Sequence, residues 1–284
     1  MLDQAQRLRQ LAADNENMDK ARIITVTSGK GGVGKSNFVV NLSIALSLMG
    51  KKVMIFDADV GMGNDDVLMG FLPKYNVFDV IFNEKEIEDV LVTGPSGIKL
   101  LPGGSGLTKI EEFTDKQRAN FIKKLEDLKG LDYIIMDTGA GINRSVLGFV
   151  ACCEELIILT TPEPTSLTDA YSLLKAIKHF KIKNKAKVVI NRALDEEEAV
   201  HTYNKYNNAV TNFLKINLEY LGSIAEDKKL VQAVRSQQPF ILSYPNCDAS
   251  KDINSIARKL IGTDEKEEKV GVQGLFKKLF SIFS

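Results

Sequence analysis

The chain of 284 residues carries 37 Lys and Arg against 37 Asp and Glu, so its formal net charge is zero at pH 7. That balance excludes a generally polybasic nucleic-acid binder and an acidic solvating chain, though not a local basic patch, and 44% hydrophobic residues suffice for one large core. Three cysteines, two of them adjacent (Cys152 and Cys153), make no disulfide framework, no apolar run is long enough to span a bilayer, and the N-terminus lacks a signal-peptide pattern. The expectation is a cytoplasmic protein with reduced thiols.

Residues 1–13, MLDQAQRLRQLAA, read as a short helix with Ala5, Leu8, Leu11 and Ala12 near one face, and residues 14–20 as a polar linker. From 21 to 261 apolar strands alternate with amphipathic helices. Strands are expected at 22–28, 52–57, 98–102, 132–137, 155–161, 185–191 and 218–224, with helices notably at 35–49, 115–128, 165–180, 199–214 and 248–261. Several strands are continuous apolar runs, as parallel strands covered on both faces require. The order predicts an α/β fold: a doubly wound, mostly parallel sheet of about seven or eight strands with helices on both faces. Residues 262–271, GTDEKEEKVG, form a charged linker, and residues 272–284 turn abruptly aromatic.

The segment SGKGGVGKS, Ser28 to Ser36, lies between the first strand and a helix, the context a phosphate-binding P-loop needs. Gly29, Gly31, Gly32 and Gly34 let the chain wrap an anion without Cβ clashes, and the backbone N–H groups and helix N-terminus then point at it. In this pattern Lys35 reaches the β- and γ-phosphates and Ser36 offers its hydroxyl oxygen to Mg²⁺. Asp57 and Asp59 end the second strand in FDADVGMGNDD (56–66), and Asp137 ends the fourth in MDTGAG (136–141). Ligands bind at that edge of such sheets. The plainer reading of any one of these carboxylates is a strand-end cap; three beside a P-loop point to a metal and its water. His179 reads as a helix-end cap and His201 as solvated. Cys152, Cys153 and Cys247 lack metal-ligand spacing. Tyr203 and Tyr206 read as helix-face residues, and Glu196 to Glu198 as solvated charge near a helix start.

With Lys30 early in the loop, the segment resembles the deviant P-loop ATPases, the class of MinD, ParA and the nitrogenase iron protein. The resemblance covers roughly 21–261 and includes TTPEPTSLTDAY (160–171) and EDKKLVQAVRSQQPF (226–240). It implies an ATP-dependent homodimer with ATP/ADP and Mg²⁺ as ligands. Gly29, Lys30, Gly31, Gly32, Val33, Gly34, Lys35, Ser36 and Asn37 would bind the nucleotide, and Lys30 would cross to the partner's phosphates. Asp59 would position water, and Ser36, Asp57, Asp59 and Asp137 would serve the metal. Asn191, Arg192, Ile224, Ala225 and Glu226 would flank adenine, with Ala225 where relatives often have proline. Catalysis would rest on Asp59, Lys30 and Lys35. Asp65 stands where relatives usually carry an apolar residue.

Within the class, DQAQRLR (3–9) and DTGAG (137–141) resemble the flagellar-number regulators FlhG, also called FleN or YlxH. That branch implies a regulator of flagellar number and placement acting with an SRP-type GTPase, FlhF, through Gln4, Arg7 and Leu8, and with flagellar switch-complex proteins. On a helical wheel Leu275, Phe276, Leu279, Phe280, Ile282 and Phe283 share one arc opposite Lys277, Lys278, Ser281 and Ser284. Such a helix fits an anionic membrane surface or a groove on its own domain. The two are compatible if the tail docks in the monomer and is released in an ATP dimer. The alternatives are a MinD-type division-site regulator and a ParA-like DNA-partition ATPase. The latter would use Lys178, Lys181, Lys183, Lys185 and Lys187, whose plainer reading is a solvated helix end. The membrane-like tail argues against it, so nucleic acid is not an expected partner.

Overall fold

A computed structural model describes residues 21–59, 65–82, 85–104, 113–125, 128–262 and 271–283. The strands β1 (Arg22–Ser28), β2 (Val53–Ala58), β3 (Val92–Thr93), β4 (Lys99–Pro102), β5 (Tyr133–Ala140), β6 (Glu155–Thr160), β7 (Lys185–Ala193) and β8 (Asn217–Ala225) form one sheet in the order β3-β4-β2-β5-β1-β6-β7-β8. Every pairing is parallel except the edge pair β3–β4. The expected doubly wound α/β architecture is what the chain adopts. The edge strand β3 was not expected; its two residues are too short to leave a pattern.

Among the helices are α1 (Lys35–Leu48), α2 (Asp65–Met69), α3 (Asp115–Lys124), α4 (Arg144–Cys152), α5 (Pro164–His179), α6 (Glu196–Leu214), α7 (Asp248–Gly262) and α8 (Gly271–Phe283). One core holds α1 and α7 against one face of the sheet; the other holds α3, α4, α5, α6 and α8 against the opposite face. Because β2 and β6 are buried along their whole length, no alternation marks them. Local chemistry moves several ends. Asp195 accepts from Glu198 N at 2.8 Å, so α6 starts at Glu196 rather than 199, and the acidic run becomes a first turn that favours the helix dipole. Helix α4, absent from the expected set, is capped by Asn143, whose Oδ1 accepts from Val146 N at 2.8 Å. Tyr206 lies on the buried face of α6, and Tyr203 donates to Leu218 O.

The tail forms α8 and lies on its own domain, in a groove walled by α3 and α4. Phe276 meets Phe56 and Phe121 at centroid distances of 5.2 and 4.9 Å, and Phe280 meets Phe113 and Phe121 at 6.0 Å. Phe283 sits over Gly148, where a Cβ would fall 2.3 Å from its ring. Leu275, Phe276, Leu279, Phe280 and Phe283 are buried as the wheel predicts, but Ile282 is 37% exposed and belongs to the outer side with Lys277 and Lys278. The docked stripe is one residue narrower than the apolar arc, because that stripe suffices to fill this groove.

Gln4, Arg7 and Leu8, with the rest of the expected N-terminal helix and linker, lie outside the described residues, as do most of the charged linker at 263–270 and Ser284. Among the described residues no helix is long and apolar enough to cross a membrane. All three cysteines are buried free thiols.

Candidate nucleotide site

The parallel register sets the site. Asp57 of β2 pairs with Asp137 of β5, and Val26 of β1 pairs with the same residue, so two carboxylates lie side by side where β1 runs into the glycine-rich loop. That loop approaches α5 too closely for a side chain at its first glycine: a Cβ on Gly29 would fall 2.1 Å from the carbonyl carbon of Asp169. Gly34 has φ +95° and caps α1 without a side-chain hydrogen bond, and the first turn of α1 carries no acid. Four backbone donors at a helix start, with no capping side chain, make a ready anion site. Ser28 Oγ donates to Lys30 O at 2.9 Å and shapes the loop from within.

Two residues expected beside a base also brace the loop. Asn191 Nδ2 donates to Val33 O at 2.7 Å, and its Oδ1 accepts from Arg192 N. Arg192, at φ +58°, donates from Nη2 to Gly32 O at 2.8 Å. Asn191 is buried and its amide is tied to the phosphate loop. Ile224 and Ala225 end β8 beside them and Glu226 follows it: Ala225 N donates to Asp252 at 2.9 Å and Glu226 N to Ala193 O at 2.9 Å. These bonds fix the turn at Ala225.

The two loop lysines occupy different environments. Lys35 is largely buried, with Nζ 3.3 Å from Asp137 Oδ1. Lys30 is 40% exposed and bonds Glu163 Oε2 and Thr165 Oγ1, both at 3.2 Å. Glu163 and Thr165 were not singled out from the sequence; their signal was the polar cluster TTPEPTS directly after β6. Asp59 N donates to Asp57 Oδ1 at 3.2 Å, and Gly139 lets Asp59 come close, since a Cβ there would sit 3.3 Å from Asp59 Oδ1.

Buried acid exceeds its counter-charge. Asp57 is pushed up to about 7 by burial and then by Asp137. Asp137 is raised by burial, which Lys35 and Ser36 only partly offset. Asp65 is raised well above the carboxylate range by burial, Asp137 and Asp57. Asp137 Oδ1 is met by Lys35 Nζ, and among the described residues no donor reaches either oxygen of Asp65. Among the described residues no three such side chains converge as a complete metal shell. Magnesium nonetheless fits, because it binds through one or two carboxylates while water and phosphate oxygens complete its octahedron.

The sign of the pH effect follows. A carboxyl that titrates higher folded than unfolded costs stability where it is ionised in both states; that cost vanishes below the unfolded value of about 4. The nucleotide-free chain is therefore expected to melt higher at pH 5.5 than at pH 8, and Mg²⁺ should flatten the difference. Calorimetric melts at the two pH values check this; a higher melting temperature at pH 8 without metal would contradict it.

Residues 21–190 match the AAA domain family AAA_31. The chain is 37% identical over 245 residues to the antiactivator FleN of Pseudomonas aeruginosa, covering 86% of this chain and 88% of that one. The chain belongs to the FlhG/MinD/ParA family of ATPases. The flagellum site-determining protein YlxH of Helicobacter pylori is 33% identical over 270 residues, covering 93% of this chain and 91% of that one. Among solved structures, MinD of Aquifex aeolicus superposes with TM-score 0.67 at 29% identity over 87% of this chain and all of that one. MinD of Pyrococcus horikoshii, solved with Mg-ADP, gives 0.66 at 25% over 87% of this chain and all of that one.

The surface offered for a ParA-like DNA contact is partly spent. Lys187 is buried in an ion pair with Glu155 at 2.8 Å, and Lys183 donates to Cys153 O at 2.5 Å.

Proposed function

We propose that this chain is a Mg²⁺-dependent ATPase that dimerises with ATP, associates with an anionic membrane surface, and regulates flagellar number and placement together with an FlhF-type GTPase. The observation that carries the dimer is Lys30, whose ammonium lies outside the phosphate cradle on a half-exposed edge while Lys35 already fills the cradle. A cation held there serves a second subunit's phosphates better than its own, which couples ATP binding to dimerisation.

In this reading the loop from Gly29 to Asn37 wraps the phosphates and Lys35 pairs with the β- and γ-oxygens. Ser36, Asp57 and Asp137 would hold Mg²⁺ and its water, and the metal supplies charge neutralisation on the phosphates. Asp59 orients the attacking water, and Lys30 from the second subunit offsets charge developing on the transferred phosphoryl group. Arg192, Ile224, Ala225 and Glu226 line the base side. The flagellar branch is supported by DQAQRLR and by likeness to FleN and YlxH. A division-site role is the second reading, supported by a 32% identical septum site-determining MinD of Synechocystis.

Sedimentation velocity tests the ATP cycle. Wild type should dimerise with ATP and not with ADP. Lys30→Ala should bind nucleotide yet stay monomeric, and Asp59→Ala should accumulate as dimer with turnover reduced about 10²- to 10⁴-fold. Normal dimerisation of Lys30→Ala would remove that lysine from a role in trans.

The flagellar partnership has its own test. A peptide of residues 1–13 should stimulate GTP hydrolysis by an FlhF-type GTPase, and joint substitution of Gln4 and Arg7 by alanine should abolish the effect. An unchanged GTPase rate would favour the division-site reading.

A further inference from the structure

Charge is one-sided between α5 and β7. Residues 175–187, KAIKHFKIKNKAK, carry six lysines and no acid in a chain whose net charge is zero. They cover the last turn of α5, the turn after it and the start of β7. Lys185 and Lys187 are balanced there, since Glu154, Glu155 and Glu219 line the same hollow. Lys178 and Lys181 are exposed, and among the described residues no acid pairs with either. Between them stands Phe180, 61% exposed, with its ring edge-on to His179 at 5.0 Å. The turn holds it there. Lys181 takes φ +55°, and Ile182 N donates to Ile177 O at 3.0 Å, which closes the helix end so that Ile182 packs on the core while Phe180 faces out. A lone exposed apolar residue is ordinary. An aromatic ring held in a turn between unpaired lysines has the make-up of an interfacial contact.

This turn lies where the parallel strands begin, away from the phosphate loop. Glu155, the first residue of β6, bonds both Arg22 of β1 and Lys187 of β7. Arg22 Nη1 also donates to Leu260 O near the end of α7, so the chain that leads to α8 departs from the same end of the sheet. A tail inserted in a bilayer therefore brings this end, and Phe180 with it, toward the lipid. We infer that the Phe180 turn, flanked by Lys178 and Lys181, is a second membrane contact: the ring enters the headgroup region and the lysines pair with anionic lipid. Phosphate alone would call only for the lysines, so the ring favours lipid over a DNA backbone. The inference deepens the membrane reading proposed above and rests on it. One ring and two lysines do not anchor a protein by themselves, so the turn adds to the tail and does not replace it.

The chain has no tryptophan, so Phe180→Trp gives the full-length protein a single reporter at the turn. With Mg²⁺ and ATP, its emission should shift to the blue on adding vesicles of equal parts phosphatidylglycerol and phosphatidylethanolamine, and brominated acyl chains should quench it. Phosphatidylcholine vesicles should do neither. Joint substitution of Lys178 and Lys181 by glutamine should weaken co-sedimentation with the anionic vesicles about 25-fold at low salt, about fivefold for each lysine, with the melting temperature unchanged. If the chain co-sediments while the indole emission stays put and the lysine variant binds like wild type, the tail is the whole contact and the inference is overturned. A blue shift with duplex DNA and none with vesicles would overturn it in favour of a nucleic-acid surface. If wild type itself never binds the anionic vesicles, the membrane reading of the whole chain fails, and this inference with it.

Discussion

Lys35→Ala should abolish tight nucleotide binding. Its ammonium is largely buried, lies 3.3 Å from Asp137, and sits at the start of α1 under the glycine-rich loop. A charge-assisted hydrogen bond is worth about 1.5–3 kcal/mol, or roughly 10- to 150-fold in affinity. The true loss should reach the upper end, because the alanine variant also leaves Asp57, Asp65 and Asp137 without a cation beside incoming phosphates. The variant should melt lower without ligand for the same reason, and Mg²⁺ should recover part of that loss. Calorimetric titration of ADP and a melt of the free protein read both effects. Affinity unchanged within threefold would mean that the phosphates do not lie in this loop.

The second large effect concerns α8. Phe276 is enclosed by Phe56 and Phe121, so Phe276→Glu puts a charge into an apolar groove and also removes an aromatic contact. Truncating a buried phenylalanine typically costs about 3–5 kcal/mol, enough to undock a short helix. That variant damages a lipid-facing surface as well, so it cannot separate the roles. Gly148→Leu can. It fills the space under Phe283 and evicts the tail while leaving every tail residue intact. Wild type should co-sediment with anionic liposomes more with ATP than with ADP, and less at high salt as Lys277 and Lys278 are screened. Gly148→Leu should bind in both nucleotide states, Phe276→Glu should bind weakly in both, and truncation after Gly271 should abolish binding. If Gly148→Leu merely lowers the melting temperature and never binds lipid, the tail is a structural clasp.

The P-loop was legible because glycine spacing between an apolar strand and a helix, such as the positive φ at Gly34 requires, is local to the chain, whereas the approach of Gly29 to Asp169 on α5 was not legible. The strand-end carboxylates were legible too, since apolar runs announce β2 and β5. Their pairing was not, because the register Asp57↔Asp137 depends on strand order. Contacts between distant segments account for the other gaps. Glu163 holds Lys30 from 133 residues away, and Asn191 braces Val33 from 158. Nothing local distinguishes inward Asp65 from outward Asp66. Lys187 read as surface charge because its partner Glu155 lies on the neighbouring strand. The tail's apolar arc was plain in the sequence, yet amphipathicity names a buried side without naming what buries it.

The wall of the α8 groove connects the tail to the nucleotide loops. Helix α4 begins directly after the loop that leaves β5: Gly141 N donates to Ser28 O at 2.9 Å, and Asn143 caps the helix. Arg144, the first residue of α4, stands 5.8 Å over the ring of Phe283. A shift of this loop on ATP binding would reach the tail through one helix, and two released tails in a dimer would bind lipid by multivalency. Hydrogen exchange of residues 271–283 in Asp59→Ala, loaded with ATP or with ADP, tests this most directly. Strong protection is expected with ADP and fast exchange in the ATP dimer. Equal protection in both states, with the dimer confirmed by sedimentation, would contradict it.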